Sequence, residues 1–148
     1  MSSLRLEIVK RAGGGGRSEV VFRDFVIDGT PLWPRLQALG FDVVTGLLDS
    51  PREWVHAYVD RLLLRATPDL PDGRVALYLC PECGDIACGL VSVQVAQKGD
   101  HIEWGAFASE GGVGSEAWRT PLTDLGPFVF PAADYAACLE HWRQERVP

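Results

Sequence analysis

Three extended runs, residues 75–80, 90–97 and 102–107, follow one another with only a cysteine-bearing loop and the turn Lys98-Gly99-Asp100 between them. Connections this short join antiparallel neighbours, because a parallel pair needs a crossover of about a dozen residues or more. A three-stranded meander is therefore the framework any fold of this chain must accommodate. In its first run Val75, Leu77 and Leu79 alternate with Ala76, Tyr78 and Cys80. Neither face belongs in water, which places that strand centrally.

Other elements are expected to pack around this meander. Leu4, Leu6 and Ile8 alternate with Arg5 and Glu7, and a second apolar run extends from Glu19 to Ile27 after four consecutive glycines. The pattern predicts an N-terminal hairpin closed by a flexible glycine loop. The glycines do not make a phosphate cradle, because Arg17 and Ser18 lead into another strand instead of a helix. Thr30 followed by Pro31 predicts the start of a short helix ending at Gly40. Ser50-Pro51-Arg52-Glu53 has the form of a reciprocal capping box, opening a helix with the apolar stripe Trp54, Val55, Tyr58, Val59, Leu62 and Leu63. Residues 109–120 are expected to form a mobile loop, and Phe128, Val129 and Phe130 a short strand. A last helix follows, with Tyr135, Cys138, Leu139 and Trp142 on one side. The expected fold is α+β: an antiparallel sheet of about five strands packed by about three helices.

The chain has 148 residues, 47% hydrophobic, and a domain of this size can bury roughly 70% of its unfolded surface. One globular domain over residues 1–148 is expected. Residues 1–10 carry Arg5, Glu7 and Lys10 where an export signal would be apolar. The longest uncharged apolar stretch, 86–97, falls short of the roughly 20 residues of a spanning helix. A cytoplasmic protein with no membrane role is the resulting expectation.

Charge is distributed unevenly. Residues 1–23 carry Arg5, Lys10, Arg11, Arg17 and Arg23 against Glu7 and Glu19, whereas residues 66–142 carry Arg74, Lys98 and Arg119 against eleven acids. An acidic domain repels a phosphate backbone, so no nucleic-acid partner is expected. The same charge suits a basic protein partner.

The chemistry resides in Cys80-Pro81-Glu82-Cys83-Gly84-Asp85-Ile86-Ala87-Cys88-Gly89. Its first five residues, two cysteines followed by a glycine, have the form of a zinc knuckle, a turn that can aim both sulfurs at one metal and supplies half a site. If Cys80 ends one strand and Cys88 begins its neighbour, the two sit about 5 Å apart across the ladder. Cys80, Cys83 and Cys88 then share one end of the sheet as metal ligands. A structural zinc site needs four. His101 lies at the opposite end, more than about 20 Å away, and is set aside. Cys138 and His141 of the last helix are the candidate fourth ligands, with Glu82, Asp85 and Glu110 as oxygen donors. Cys138 also shares an apolar stripe, where a small buried thiol needs no other role. Two alternatives use the same thiols differently: reduced cysteines that only cap a tight turn, or a redox pair of Cys83 with Cys88 or Cys80 with Cys88.

Cys80-Pro-Glu-Cys-Gly-Asp with Cys88-Gly89, followed by alternating valines and Ile102-Glu103-Trp104, resembles a group of uncharacterised small bacterial proteins common in high-GC actinobacteria. The resemblance covers residues 74–107, more loosely 24–32, and implies a recurring cysteine hairpin without an activity, metal or partner.

No nucleophile and base assemble elsewhere: Ser50 is expected as a cap, His56 lies on a polar helix face, and nothing supplies an oxyanion site for Cys138 and His141. The expectation is a non-enzymatic, zinc-stabilised interaction module with an acidic binding face, the alternative a thiol-disulfide redox protein using Cys80, Cys83 and Cys88.

Overall fold

The computed structural model describes residues 1–83 and 88–143. The α+β class and three helices are as expected, but the single five-stranded sheet is replaced by two antiparallel sheets containing nine strands among the described residues. The N-terminal hairpin, β1 (Leu4–Arg11) and β2 (Val20–Ile27), carries a two-residue strand β3 (Thr30–Pro31) on its free edge. The second sheet has the order β4-β5-β6-β7-β8, with β4 Val44–Thr45, β5 Arg74–Leu79, β6 Leu90–Lys98, β7 His101–Gly111 and β8 Trp118–Pro121. Strand β9 (Phe128–Pro131) also pairs with β7. The predicted meander is β5-β6-β7.

Two departures from regular pairing shape that meander. Between β5 and β6 the register moves from Ala76↔Ser92 to Tyr78↔Val91, so Leu77 is an extra residue on β5. A bulge reverses the alternation beyond it. Tyr78 consequently joins Val75 and Leu77 in the main core, while Leu79 packs with Ala76, Leu70 and Leu90 on the opposite face. On β7 the irregularity falls around Ala106, which has φ +50°. Below it β7 pairs with β9, and above it with β8.

The glycine run closes the first hairpin tightly. Gly14 and Arg17 exchange backbone hydrogen bonds of 2.9 and 3.1 Å, with Gly15 and Gly16 between them at φ +62° and +82°. Left-handed backbone at both central positions matches the twist of the flanking strands and favours glycine.

The sheets are joined along two seams. Arg23 N–H donates to the Leu47 carbonyl at 2.9 Å, and Ser2 N–H to the Val129 carbonyl at 2.6 Å. Between the seams lies one core, drawing on residues from Leu6 to Leu139. Its centre is Trp104, fully buried, with Phe25, Phe107, Phe130 and Tyr135 edge-on around it. The indole N–H donates to the Tyr135 hydroxyl at 3.1 Å, which donates in turn to the Leu62 carbonyl at 2.6 Å. Both polar tips are thereby satisfied inside an aromatic cluster.

The helices begin differently from the predicted caps. Thr30 and Pro31 are strand, and α1 (Trp33–Ala38) opens one turn later with Pro34 in its first turn. Its exposed donor is met from another element: Asp24 Oδ2 of β2 accepts from Trp33 N–H at 2.9 Å. Gly40 follows the helix at φ +92°, as expected of a terminator. Helix α2 (Arg52–Leu62) has no capping box, because Ser50 turns back to the Leu48 carbonyl at 3.5 Å. Tyr58, Val59 and Leu62 are buried as predicted, but Trp54 is 65% exposed. Gly46 explains how α2 approaches so closely, since a Cβ there would lie 2.4 Å from the Tyr58 ring. Residues 109–120 are no mobile loop: they hold the end of β7, a 3-10 turn Gly114–Glu116 and β8. Helix α3 (Ala132–Arg143) follows β9 and buries Tyr135 and Leu139. Among the described residues no helix is long and apolar enough to cross a membrane.

Asp24 is completely buried between the sheets and accepts from the Tyr78 hydroxyl as well as Trp33 N–H. Burial raises its pKa despite these bonds. Asp24→Ala strands both donors and should lower the unfolding free energy by about 2–4 kcal/mol in urea titration. The carboxyl binds its proton more tightly folded than unfolded. Its contribution is therefore fully present below the unfolded value and lost as pH rises through the native one. Unfolding free energies of wild type and Asp24→Asn, compared from about pH 4 to about pH 7, should move against wild type as pH rises.

Candidate metal centre

Strand pairing brings the cysteines together. Leu79 and Leu90 form the last pair of the β5-β6 ladder, so Cys80 and Cys88 both fall just beyond its end. Cys83 lies in the turn above. The sulfurs of Cys80, Cys83 and Cys88 all lie within 4.8 Å of one another, and this trio could hold a metal ion. Cys83 and Cys88 are exposed, with their sulfurs 2.7 Å apart, and Cys80 is half-buried. The predicted juxtaposition is present.

The predicted fourth ligands are not brought into the group. Cys138 packs against the main core from α3, where burial pushes its thiol up to about 11. A thiol that resists ionisation is a poor metal ligand. His141 lies on the same helix, edge-on to Trp142 with ring centroids 5.2 Å apart. Glu110 is occupied on the second face of the sheet: buried Arg74 reaches it at 3.3 Å and Arg119 at 3.2 Å, while Ser92 donates to the same carboxylate. Asp85 lies outside the described residues. His101 pairs with Lys98 at the far hairpin, as its position in the strand required.

Glu82 has a different role from metal ligation. It holds the cysteine turn against the first hairpin. Its Oε1 accepts from Ser18 N–H at 2.9 Å and from the Arg11 guanidinium at 3.0 Å, and its Oε2 from the Ser18 hydroxyl at 2.9 Å. Arg11 is only 2% exposed although it closes an outer strand. It donates twice to Asp42 at 2.8 Å and once to the Ser18 carbonyl at 2.6 Å. Such forked, charge-assisted bonds fix orientation as well as distance. They hold the Asp42 carboxyl below the usual carboxylate range, while the Ser18 donors, followed by Arg11, do the same for Glu82.

Sequence reading missed this latch. Arg11 and Glu82 are 71 positions apart; no pattern singles out Arg11, and the cysteine motif marks Glu82 only as an oxygen donor to a metal. The only trace is coarse: an excess of basic residues in the first segment and of acidic ones beyond the middle.

Two clefts border the thiols. One of about 480 Å³ separates α2 from the end of β5 and is lined by Leu48, Trp54, Leu79, Cys80 and Cys83 among others. A smaller one of about 200 Å³ lies on the other side, with Asp42, Cys80, Cys88 and Trp118 in its wall. Trp54 and Trp118 are the exposed tryptophans, at 65% and 49%. Comparison of the chain with protein-family models, curated proteins and solved structures finds no match.

If the latch positions the sulfurs, Arg11→Ala should weaken metal binding at the trio by about tenfold, the lower end for loss of a group that orients ligands. Competition against a chelator measures this. An unchanged affinity together with an intact fold by circular dichroism would show that the turn holds its geometry alone.

Proposed function

We propose that the protein is a zinc-stabilised interaction module, in which Cys80, Cys83 and Cys88 bind the ion and the acidic part of the chain meets a basic protein partner. The convergence of three sulfurs within 4.8 Å carries this reading. Zinc bonds thiolate at about 2.3 Å with tetrahedral geometry, which puts ligand sulfurs about 3.8 Å apart. The trio needs only small side-chain rotations, with Cys83 and Cys88 opening by about 1 Å. Zinc here would tie the cysteine turn to the ends of β5 and β6. Its role is that of a structural staple, with turnover not required.

Trp54 and Trp118 stand on either side of this staple, and exposed tryptophans are favoured central contacts in protein interfaces. Exposed Glu116, Asp124 and Asp134 supply acidic groups for steering a basic partner. No nucleic acid or membrane enters the proposal, and a cytoplasmic location belongs to it because reduced thiols are maintained there.

A second reading is favoured by one distance. Cys83 and Cys88 approach to 2.7 Å, closer than two zinc ligands sit, which suits a dithiol-disulfide couple.

Zinc per chain, measured on protein purified without added metal, separates the readings when combined with thiol counts before and after denaturation. We expect stoichiometric zinc, lost in Cys83→Ser, and a fall of about 3 kcal/mol in unfolding free energy on chelation from a zinc activity 100-fold above Kd. No zinc, with two thiols lost on mild oxidation, would replace the module by a redox protein. No zinc and thiols that titrate only on unfolding would overturn both.

A further inference from the structure

The two uses of the thiols need not compete, because they can be alternate states of one centre. We propose that oxidation of Cys83 and Cys88 to a disulfide expels the zinc ion, making the cysteine turn a peroxide-sensitive switch. The inference rests on the zinc reading and adds to it which pair reacts and what the reaction releases.

Geometry selects the pair. Cys83 and Cys88 have sulfurs 2.7 Å apart and are both exposed, so an oxidant can reach them and the bond can form without moving a strand. Cys80 is half-buried, at the end of a ladder that holds its neighbour Leu79 opposite Leu90. Cys138 lies against the core on another helix, and its raised pKa keeps it a neutral thiol, the unreactive form.

The chemistry balances with a peroxide as oxidant. One thiolate attacks a peroxide oxygen, giving a sulfenic acid and hydroxide. The second thiolate attacks that sulfur, forming the disulfide and releasing the oxygen as another hydroxide. Two electrons leave the sulfurs, and two protons from solvent convert the hydroxides to water. Zinc departs because a disulfide has lost both thiolate charges and its sulfurs sit about 2.05 Å apart, too close to occupy two tetrahedral positions. Cys80 alone remains as a sulfur ligand. A dithiol reductant would reverse the reaction and restore the site in the presence of zinc.

The test uses the full chain, reduced, loaded with one equivalent of zinc and desalted. Metal analysis at this stage examines the zinc reading alone: a chain that retains no zinc refutes that reading and the switch with it. The loaded protein is then treated with one equivalent of hydrogen peroxide beside a chromogenic zinc chelator. We expect one zinc released and two thiols lost per chain, a Cys83–Cys88 link by peptide mapping, and recovery of binding after a dithiol and zinc are supplied. Cys138→Ser should release zinc at the same rate as wild type. Zinc retained after two thiols are consumed would overturn the switch while leaving the zinc reading intact. So would a link through Cys80 or Cys138, or one between two chains.

Discussion

A turn rich in cysteine has little apolar surface with which to hold its shape, so something outside it must do so. Here that role falls to Arg11. Its guanidinium is buried at the end of β1, and bonds to Asp42, the Ser18 carbonyl and Glu82 use donors on all three nitrogens. One cation thereby connects the glycine hairpin, the segment before β4 and the cysteine turn. Burying a charge is costly unless its partners surround it, and the arrangement is consistent only when all three segments are in place. The position of the sulfurs is thus coupled to the first hairpin, far away in sequence, as well as to the β5-β6 ladder.

The same principle operates on a larger scale. The sequence divides into a basic start and an acidic later part, which suggested one extended acidic face. Folding places arginines beside several of those acids: Arg11 of the basic start meets Glu82, Arg61 meets Asp69, Arg65 and Arg143 meet Glu140, and Arg119, within the acidic part itself, spans Asp72 and Glu110. Most of these pairs are partly exposed and worth little singly. Their consequence is for recognition, because acids already beside an arginine attract a basic partner less than their number suggests. On the proposed reading, steering would fall to exposed acids such as Asp124 and Asp134, on the β8-β9 connection and at the start of α3.

How much was legible follows from the range of the interactions involved. The hairpins, the meander and the convergence of Cys80, Cys83 and Cys88 depend on alternation and short connections, which are local. The bulge at Leu77 was not legible, since an extra residue leaves the apolar pattern unchanged while reversing which side chains face the core. The helix starts were misread for a related reason: Thr30 and Ser50 are good local caps, but Asp24, nine residues before Trp33, supplies the acceptor that α1 uses. Trp54 fits the apolar stripe of α2 by spacing, yet it is 65% exposed in the wall of the cleft beside β5. The link between Arg11 and Glu82 has no local signature at all.

The location of the thiols gives them reach beyond their own turn. Cys80 lines both neighbouring clefts, Cys83 only the one that holds Trp54, and Cys88 only the one that holds Trp118. An ion shared by the three would therefore brace the walls of two separate recesses through a single point. A bond between Cys83 and Cys88 would instead connect one wall of each and release Cys80. Because the exposed tryptophans line these recesses too, the proposed change of state at the sulfurs would act on the walls that carry both of them.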